Sequence, residues 1–298
     1  MASNTYDAVG NKEDISDIIT MISPDDTPLF TRLGRVKATA TVHEWLEDAL
    51  GKADNNAQVE GFTYFTVNAT PRVRLDNPTQ IMSRGVQVTD TQEAVLHYGV
   101  KSETAYQMQK TLKELAFDCE KAIIEQSNKI LGSMAIPREF GGLPYWIITN
   151  VLSNGGTARS LTFGLINDAL EMTYNEGGHP NILLVSPRNK RIISTFTAGN
   201  TKYMDGNKTR KLSQVISVIE TDFGVVECLT DRFMPNDCVY GLTPEYIKKA
   251  FLRPFKSGID LPKISDMLRK IVVGEWTIEM RAEKAHFKIE DLDGILAA

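Results

Sequence analysis

The stretch that comes nearest to a catalytic motif is His43-Glu44-Trp45-Leu46-Glu47. In a zincin helix, two histidines one turn apart ligate zinc and the glutamate beside the first acts as base. Here Glu47 stands where the second histidine would be. The four histidines, His43, His97, His179 and His286, are too scattered in sequence to supply a local ligand set. A charged strand with Trp45 packed on a neighbour is the favoured reading. Gly206-Asn207-Lys208-Thr209 ends like a phosphate loop but lacks the upstream glycine, so it reads as an exposed loop. Asp291-Leu292-Asp293-Gly294 has two aspartates before a glycine without the rest of a calcium loop and reads as a solvated turn. Cys119, Cys228 and Cys238 are odd in number and far apart, which favours reduced thiols in a cytoplasmic setting. A hydrolase would need a convergent acid, base or metal set, and this inventory does not supply one. No catalytic, cofactor-binding or metal-ligating residue is therefore assigned.

Other residues are suited to contact rather than chemistry. Arg72 and Arg74 alternate with Val73 and Leu75, so on a strand both guanidinium groups share one face. They read either as a solvated face or as a grip on carboxylates of a partner, for which arginine's bidentate geometry is suited. Phe62, Tyr64 and Phe65 read either as contact aromatics or as the closing face of their own hairpin. Lys202, Lys208, Arg210 and Lys211 form a basic patch with Lys190 and Arg191 upstream, read as a solvated loop or as a nonspecific contact for polyanions.

The elements that must position these residues come in an unusual order. Over residues 1–40 the one apolar-periodic piece is Ile15, Ile18, Ile19 and Ile22, a short amphipathic helix stopped at Ser23-Pro24. An arm is predicted there. Residues 41–88 then carry strand-like runs, Phe62–Val67 and Arg72–Leu75, separated by polar, glycine-bearing sequence. A lone two-stranded hairpin is marginal in water, so this excursion needs support from another surface. Thr89 and Gln92 have capping-box spacing for a short helix ending at Gly99, and Ser102 caps a long one over 103–131, closed by Gly132. Its stripe is Leu112, Leu115, Ala116, Cys119, Ile123 and Ile130, and 29 residues at ~1.5 Å each would give a rod of about 43 Å. Tyr145–Ile148 reads as a short strand.

A compact α/β unit follows. Thr162 caps a helix ended by Gly177-Gly178, residues 181–185 form a buried strand, and Ser186-Pro187 opens the next helix. Thr221-Asp222-Phe223-Gly224 is the turn of a β-hairpin, and Ile271–Val273 and Trp276–Met280 are late strands. The whole chain, 298 residues with 42% hydrophobic and 24% charged, suits one large or two small cores. A net charge of −5 excludes a strongly basic nucleic-acid binder by bulk charge. No run approaches the ~20 apolar residues of a membrane span, and the first residues lack the parts of a signal peptide, so assembly in cytosol is expected.

DISDIITMISPDDTPLFTRLG, from Asp14 to Gly34, resembles the N-terminal signature of a family of tailed-bacteriophage major capsid proteins. The likeness continues through HEWLEDAL (43–50), NPTQIMSRGVQVTDTQEAV (77–95), YQMQKTLKELAFDCEKAI (106–123), LLVSPRNKRIISTF (183–196) and TDFGVVECLTDRFMP (221–235). The resemblance implies an α+β, Hong Kong 97-like fold: N-terminal arm over 1–40, extended hairpin loop over 41–88, peripheral domain with a spine helix over 89–150, axial domain over 151–245, and peripheral return strands over 246–298. It implies hexamers and pentamers tiling an icosahedral shell around packaged double-stranded DNA. Inter-subunit contacts are then expected at Trp45, Phe62, Tyr64, Arg72 and Arg74, and a DNA-facing patch at Lys202, Lys208, Arg210 and Lys211. With no charged helical segment ahead of the arm, a separate scaffolding protein is expected, along with a portal, a decoration protein where one exists, no cofactor and no membrane. A tail or other virion structural protein would share the lack of catalytic groups, but the long helix and the arm argue against a fibre of β-repeats.

Overall fold

The structure, a computed structural model, describes residues 27–61 except 52, 54 and 56, together with 71–95, 102–196 and 218–294. The helix expected over 15–22, the strand over 62–67, and Phe62, Tyr64, Lys202, Lys208, Arg210 and Lys211 lie outside these residues.

The chain enters through α1 (Pro28–Arg32), whose proline occupies a first-turn position where its missing N–H costs nothing. It continues through β1 (Gly34–Lys37) into a two-stranded hairpin of β2 (Val42–Glu47) and β3 (Val73–Pro78), antiparallel with Trp45 opposite Leu75. One residue, Thr79, separates β3 from β4 (Gln80–Thr89), so the hairpin's return strand runs directly into the main sheet. This corrects the hairpin boundary expected at 88, because Gln80–Thr89 pair with Trp276–Met267 along their whole length.

Thr89 caps α2 (Asp90–Ala94) by accepting from the Gln92 N–H at 3.3 Å, and the Glu93 carboxylate reaches across to Ser102 and Thr104 at the start of α3 (Glu103–Glu125). The spine helix begins where its cap residue predicts, since Ser102 Oγ accepts from Ala105 N–H at 3.2 Å. Its end at 131 is corrected to 125. The crossing chain takes the carbonyl at its end: Gly142 N–H donates to Gln126 O at 2.9 Å, and a Cβ at Gly142 would lie 2.6 Å from Ile123 O and 2.8 Å from Gln126 O. Backbone pressed that closely onto the helix end displaces the next turn, leaving 23 helical residues, a rod of about 35 Å.

Tyr145 and Trp146 belong to a helical turn, α4 (Leu143–Trp146), not to the expected strand, because Leu143-Pro144 starts the turn on Gly142. Beyond it come β5 (Val151–Leu152), α5 (Phe163–Asn175), β6 (Ile182–Val185), α6 (Pro187–Thr195), β7 (Val218–Thr221), β8 (Gly224–Thr230) and β9 (Val239–Leu242). The predicted caps Thr162 and Ser186 each accept from the N–H three residues on. Two 14-residue strands, β10 (Ile247–Asp260) and β11 (Met267–Met280), return the chain, and β12 (Phe287–Ile289) closes it.

Two larger sheets result, one ordered β1-β10-β11-β4 and the other β5-β12-β9-β6-β8-β7. The first lies against the spine helix. In the second, the buried strand β6 pairs with β8 parallel and β9 antiparallel. β12 does not return with β10 and β11 as expected but pairs with β5 and β9, tying the end of the chain into the second sheet. One apolar core, from Leu29 and Phe30 through Leu115, Ile123, Trp146, Leu184 and Tyr240 to Trp276, spans both sheets and the spine helix. A second core, with Ile166, Leu183, Ile193 and Phe287, fills the far side of the six-stranded sheet. Full burial of each such side chain contributes roughly 1.5–3 kcal/mol.

Candidate assembly surfaces

The arm meets the body of the protein at a buried polar junction. The N–H groups of Leu29 and Phe30 are first-turn donors with no partner inside α1. Glu120, fully buried on the spine helix, accepts both, at 2.8 Å through Oε1 and 2.6 Å through Oε2. Lys249 of β10 donates to the Phe30 carbonyl and lies 4.1 Å over the centre of its ring. Phe30 in turn packs edge-on against Trp276 with ring centres 5.3 Å apart. Burial lifts the Glu120 pKa well above the ordinary carboxylate value, and the neighbouring Asp231 carboxyl pushes the same way, outweighing the two N–H donors. Burial also lowers Lys249, to about 8. At the surface of the same junction Arg32 grips Glu227 of β8 with two hydrogen bonds of 2.6 Å, which holds the Glu227 pKa down. The root of the arm is thus fastened to the spine helix and to both large sheets. Sequence reasoning passed over Glu120, although an acid at apolar-stripe spacing was the signal: it lies one turn after Ala116 and three residues before Ile123.

The hairpin is held just as firmly at its base. Asn77, fully buried, accepts from Gly141 N–H at 2.8 Å and donates to Ile278 O at 2.9 Å and Gly141 O at 3.2 Å. His43 Nε2 contacts Glu279 Oε2 at 3.0 Å, and Lys129 reaches the Asp76 carboxylate at 2.7 Å. Burial works against ionisation of Glu279, but hydrogen bonds from His43 and Arg281 prevail and lower its pKa. The one histidine of the zincin-like string is therefore spent on anchorage. Trp45 is corrected from an inter-subunit contact to a core residue: it is 8% exposed, with its ring centre 5.2 Å from that of Trp146. Arg72 and Arg74 lie on the outward part of the hairpin, 3.3 Å from Asp48 and Glu44 respectively, with about 70% of each arginine side chain exposed. The structure does not bring Trp45 and the two arginines together on one contact face.

The remaining candidates for chemistry have structural employment. Burial pushes the Cys119 thiol far up and Cys238 to about 12, which makes both poor nucleophiles. Asp291 is not an idle turn residue: it accepts from Ser153 Oγ, Asn154 N–H and Gly156 N–H at 2.8, 2.7 and 3.1 Å, bonds that lower its pKa and shape that loop. Burial drives His286 down to about 4, and its Nδ1 accepts from Thr243 N–H at 3.1 Å. Among the described residues, no three His, Cys, Asp or Glu side chains converge as a metal ion would require.

An arm clamped at its root, an outward hairpin and a spine helix under a long-stranded sheet form a frame for contact. The model of the SU10 major capsid protein family matches residues 2–293. The chain belongs to that family. The major capsid protein of Escherichia phage Phieco32 is 24% identical over 333 residues, covering 95% of this chain and 93% of that protein. Among solved structures, the satellite phage P4 procapsid including size determination (Sid) protein matches with a TM-score of 0.62 at 11% identity, over 98% of this chain and 93% of that one. The Cyanophage A-1(L) capsid asymmetric unit gives 0.63 at 11% identity, over 90% and 93%. The holo-SrpI encapsulin complex of Synechococcus elongatus PCC 7942 gives 0.60 at 10% identity, over 99% and 95%. The fold is α+β and Hong Kong 97-like, and since an encapsulin shares it, the family match rather than the fold decides the role. This SU10-family chain is a structural major capsid protein of a phage and not an enzyme; it associates with itself to form the virion capsid.

Proposed function

We propose that the subunit assembles as hexamers and pentamers into an icosahedral head around double-stranded DNA, in the host cytoplasm, with a separate scaffolding protein, a portal and, where present, a decoration protein as partners. In this reading the four-stranded sheet and spine helix make the peripheral domain, the six-stranded sheet the axial domain, and residues 42–78 the hairpin loop that lies over a neighbour. The observation that carries it is the contrast within that hairpin: its base is fixed by Asn77 and Trp45, while its outer face carries the exposed pairs Arg72 with Asp48 and Arg74 with Glu44. Exposed pairs of this kind are worth about 0–1 kcal/mol, so either arginine can exchange its own carboxylate for one on the next subunit at little cost. Many such contacts, each weak, close a shell because assembly raises their effective concentration.

Electron microscopy and size exclusion of the expressed protein, run across salt concentrations, test this. Rings of five and six or closed shells are expected. A stable monomer even with scaffolding protein supplied would sink the reading, and virion subunits shown by intact mass to lack a large N-terminal piece would sink the separate scaffold. Lys202, Lys208, Arg210 and Lys211 are the proposed contact for packaged DNA. Affinity for DNA that did not fall with salt would refute it.

A further inference from the structure

The most exposed methionine among the described residues sits on a turn whose large apolar side chains lie outside both cores. After the spine helix, Leu131, Met134 and Ile136 crowd into six residues, with Leu131 60% and Ile136 54% exposed and Met134 wholly so. From Leu131 to Pro137 there is no charged residue. Turns elsewhere in the chain are built differently, as the polar Asn154-Gly155-Gly156 illustrates. This turn is also rigid. Ile130 and Glu139 exchange backbone hydrogen bonds of 2.9 and 3.0 Å, Ser133 N–H donates to Ile136 O at 2.9 Å, and Ser133 Oγ accepts from Ala135 and Ile136 N–H at 3.3 and 3.2 Å. Gly132 supplies the left-handed step at φ +78°, which a side chain there would resist. Just outside the turn, Lys129 is held by Asp76 and Arg138 by Glu275 at 2.6 Å.

We propose that residues 131–137 form a preformed apolar knob that docks on a second copy of this chain in the shell. Its conformational entropy is already lost in the free subunit, so docking costs little ordering and returns the burial of three large side chains. The absence of charge excludes DNA as the occupant, because phosphate binding needs cations. A second copy is the occupant in keeping with the chain's role: in a shell each knob is held beside a neighbour, whereas left uncovered it would be a patch for aggregation. The inference rests on the assembly reading and adds a named contact to it.

The test is a photo-crosslinking amino acid placed at Met134 in the otherwise unaltered chain, assembled into shells and irradiated, alongside a Met134→Lys variant. Crosslinked dimers of the chain are expected, with Met134→Lys leaving the unfolding midpoint unchanged but lowering shell yield about tenfold, the effect of roughly 1.4 kcal/mol at a contact. Ile136→Ser should act the same way, less strongly. Wild-type shell yield from Met134→Lys, or crosslinks only to another protein or to none, would overturn the knob while leaving the assembly reading intact. If the unaltered chain forms no shells, the assembly reading itself falls.

Discussion

The arm junction and the outer face of the hairpin use the same residue types to opposite ends. Glu120 and Lys249 are sealed from water, and each satisfies a backbone group of α1. Arg72, Arg74, Glu44 and Asp48 pair at 3.3 Å in open solvent. A buried polar group without its partner is costly, so the junction fixes α1 on the body; a surface pair exchanges partners readily, which is what the proposed contact of the hairpin with a neighbour requires. Position in the fold, not residue type, separates the group that defines the subunit from the group proposed to join subunits.

The comparison breaks most visibly at Glu120. Glu120→Ala strands two buried N–H donors, and we expect a loss of about 2–5 kcal/mol with early proteolysis near α1, read by thermal melts and limited digestion. A loss below about 1 kcal/mol would make the junction no firmer than the hairpin face. Asn77→Ala, which removes three buried hydrogen bonds at the hairpin base, should cost about 2–3 kcal/mol in the same melts while leaving the α1 cleavage pattern unchanged.

Acidity probes burial a third way. His286 titrates near 4 in the folded protein against 6.5 unfolded, so the unfolded chain binds more protons between these values. Its contribution is whole above pH 6.5 and is lost as pH falls toward 4, a total on the order of 3 kcal/mol. His286→Gln should flatten the slope of unfolding free energy against pH across that window. Glu120 runs in the opposite sense: its raised pKa gives stability that is full below about 4.5, the ordinary value, and declines as pH rises. The smallest effect on folding is expected from reversing Arg72 and Arg74 to glutamate, within about 1 kcal/mol in melts, with assembly lost. Unchanged shell yield would remove the hairpin face from the interface.

The sequence by itself determined the local events. Ser102, Thr162 and Ser186 start helices because a hydroxyl at the cap meets an orphan N–H three residues on, and Asp222-Phe223-Gly224 turns the β7–β8 hairpin because the needed backbone is available locally. The long helix followed by an α/β unit was legible for the same reason, as was the family through its motifs. Only the tertiary structure decided where the spine helix stops, that Tyr145 and Trp146 turn helically, that Trp45 is buried, and that Glu120 and Asn77 are the fastening points. Each of those depends on a partner remote in the chain: Gly142 against the helix end, Trp146 against Trp45, Leu29 and Phe30 some ninety residues from Glu120, and Ile278 two hundred from Asn77. Periodicity and capping report on neighbours within a turn or a strand, and a buried polar group gives no local sign of which distant backbone will satisfy it.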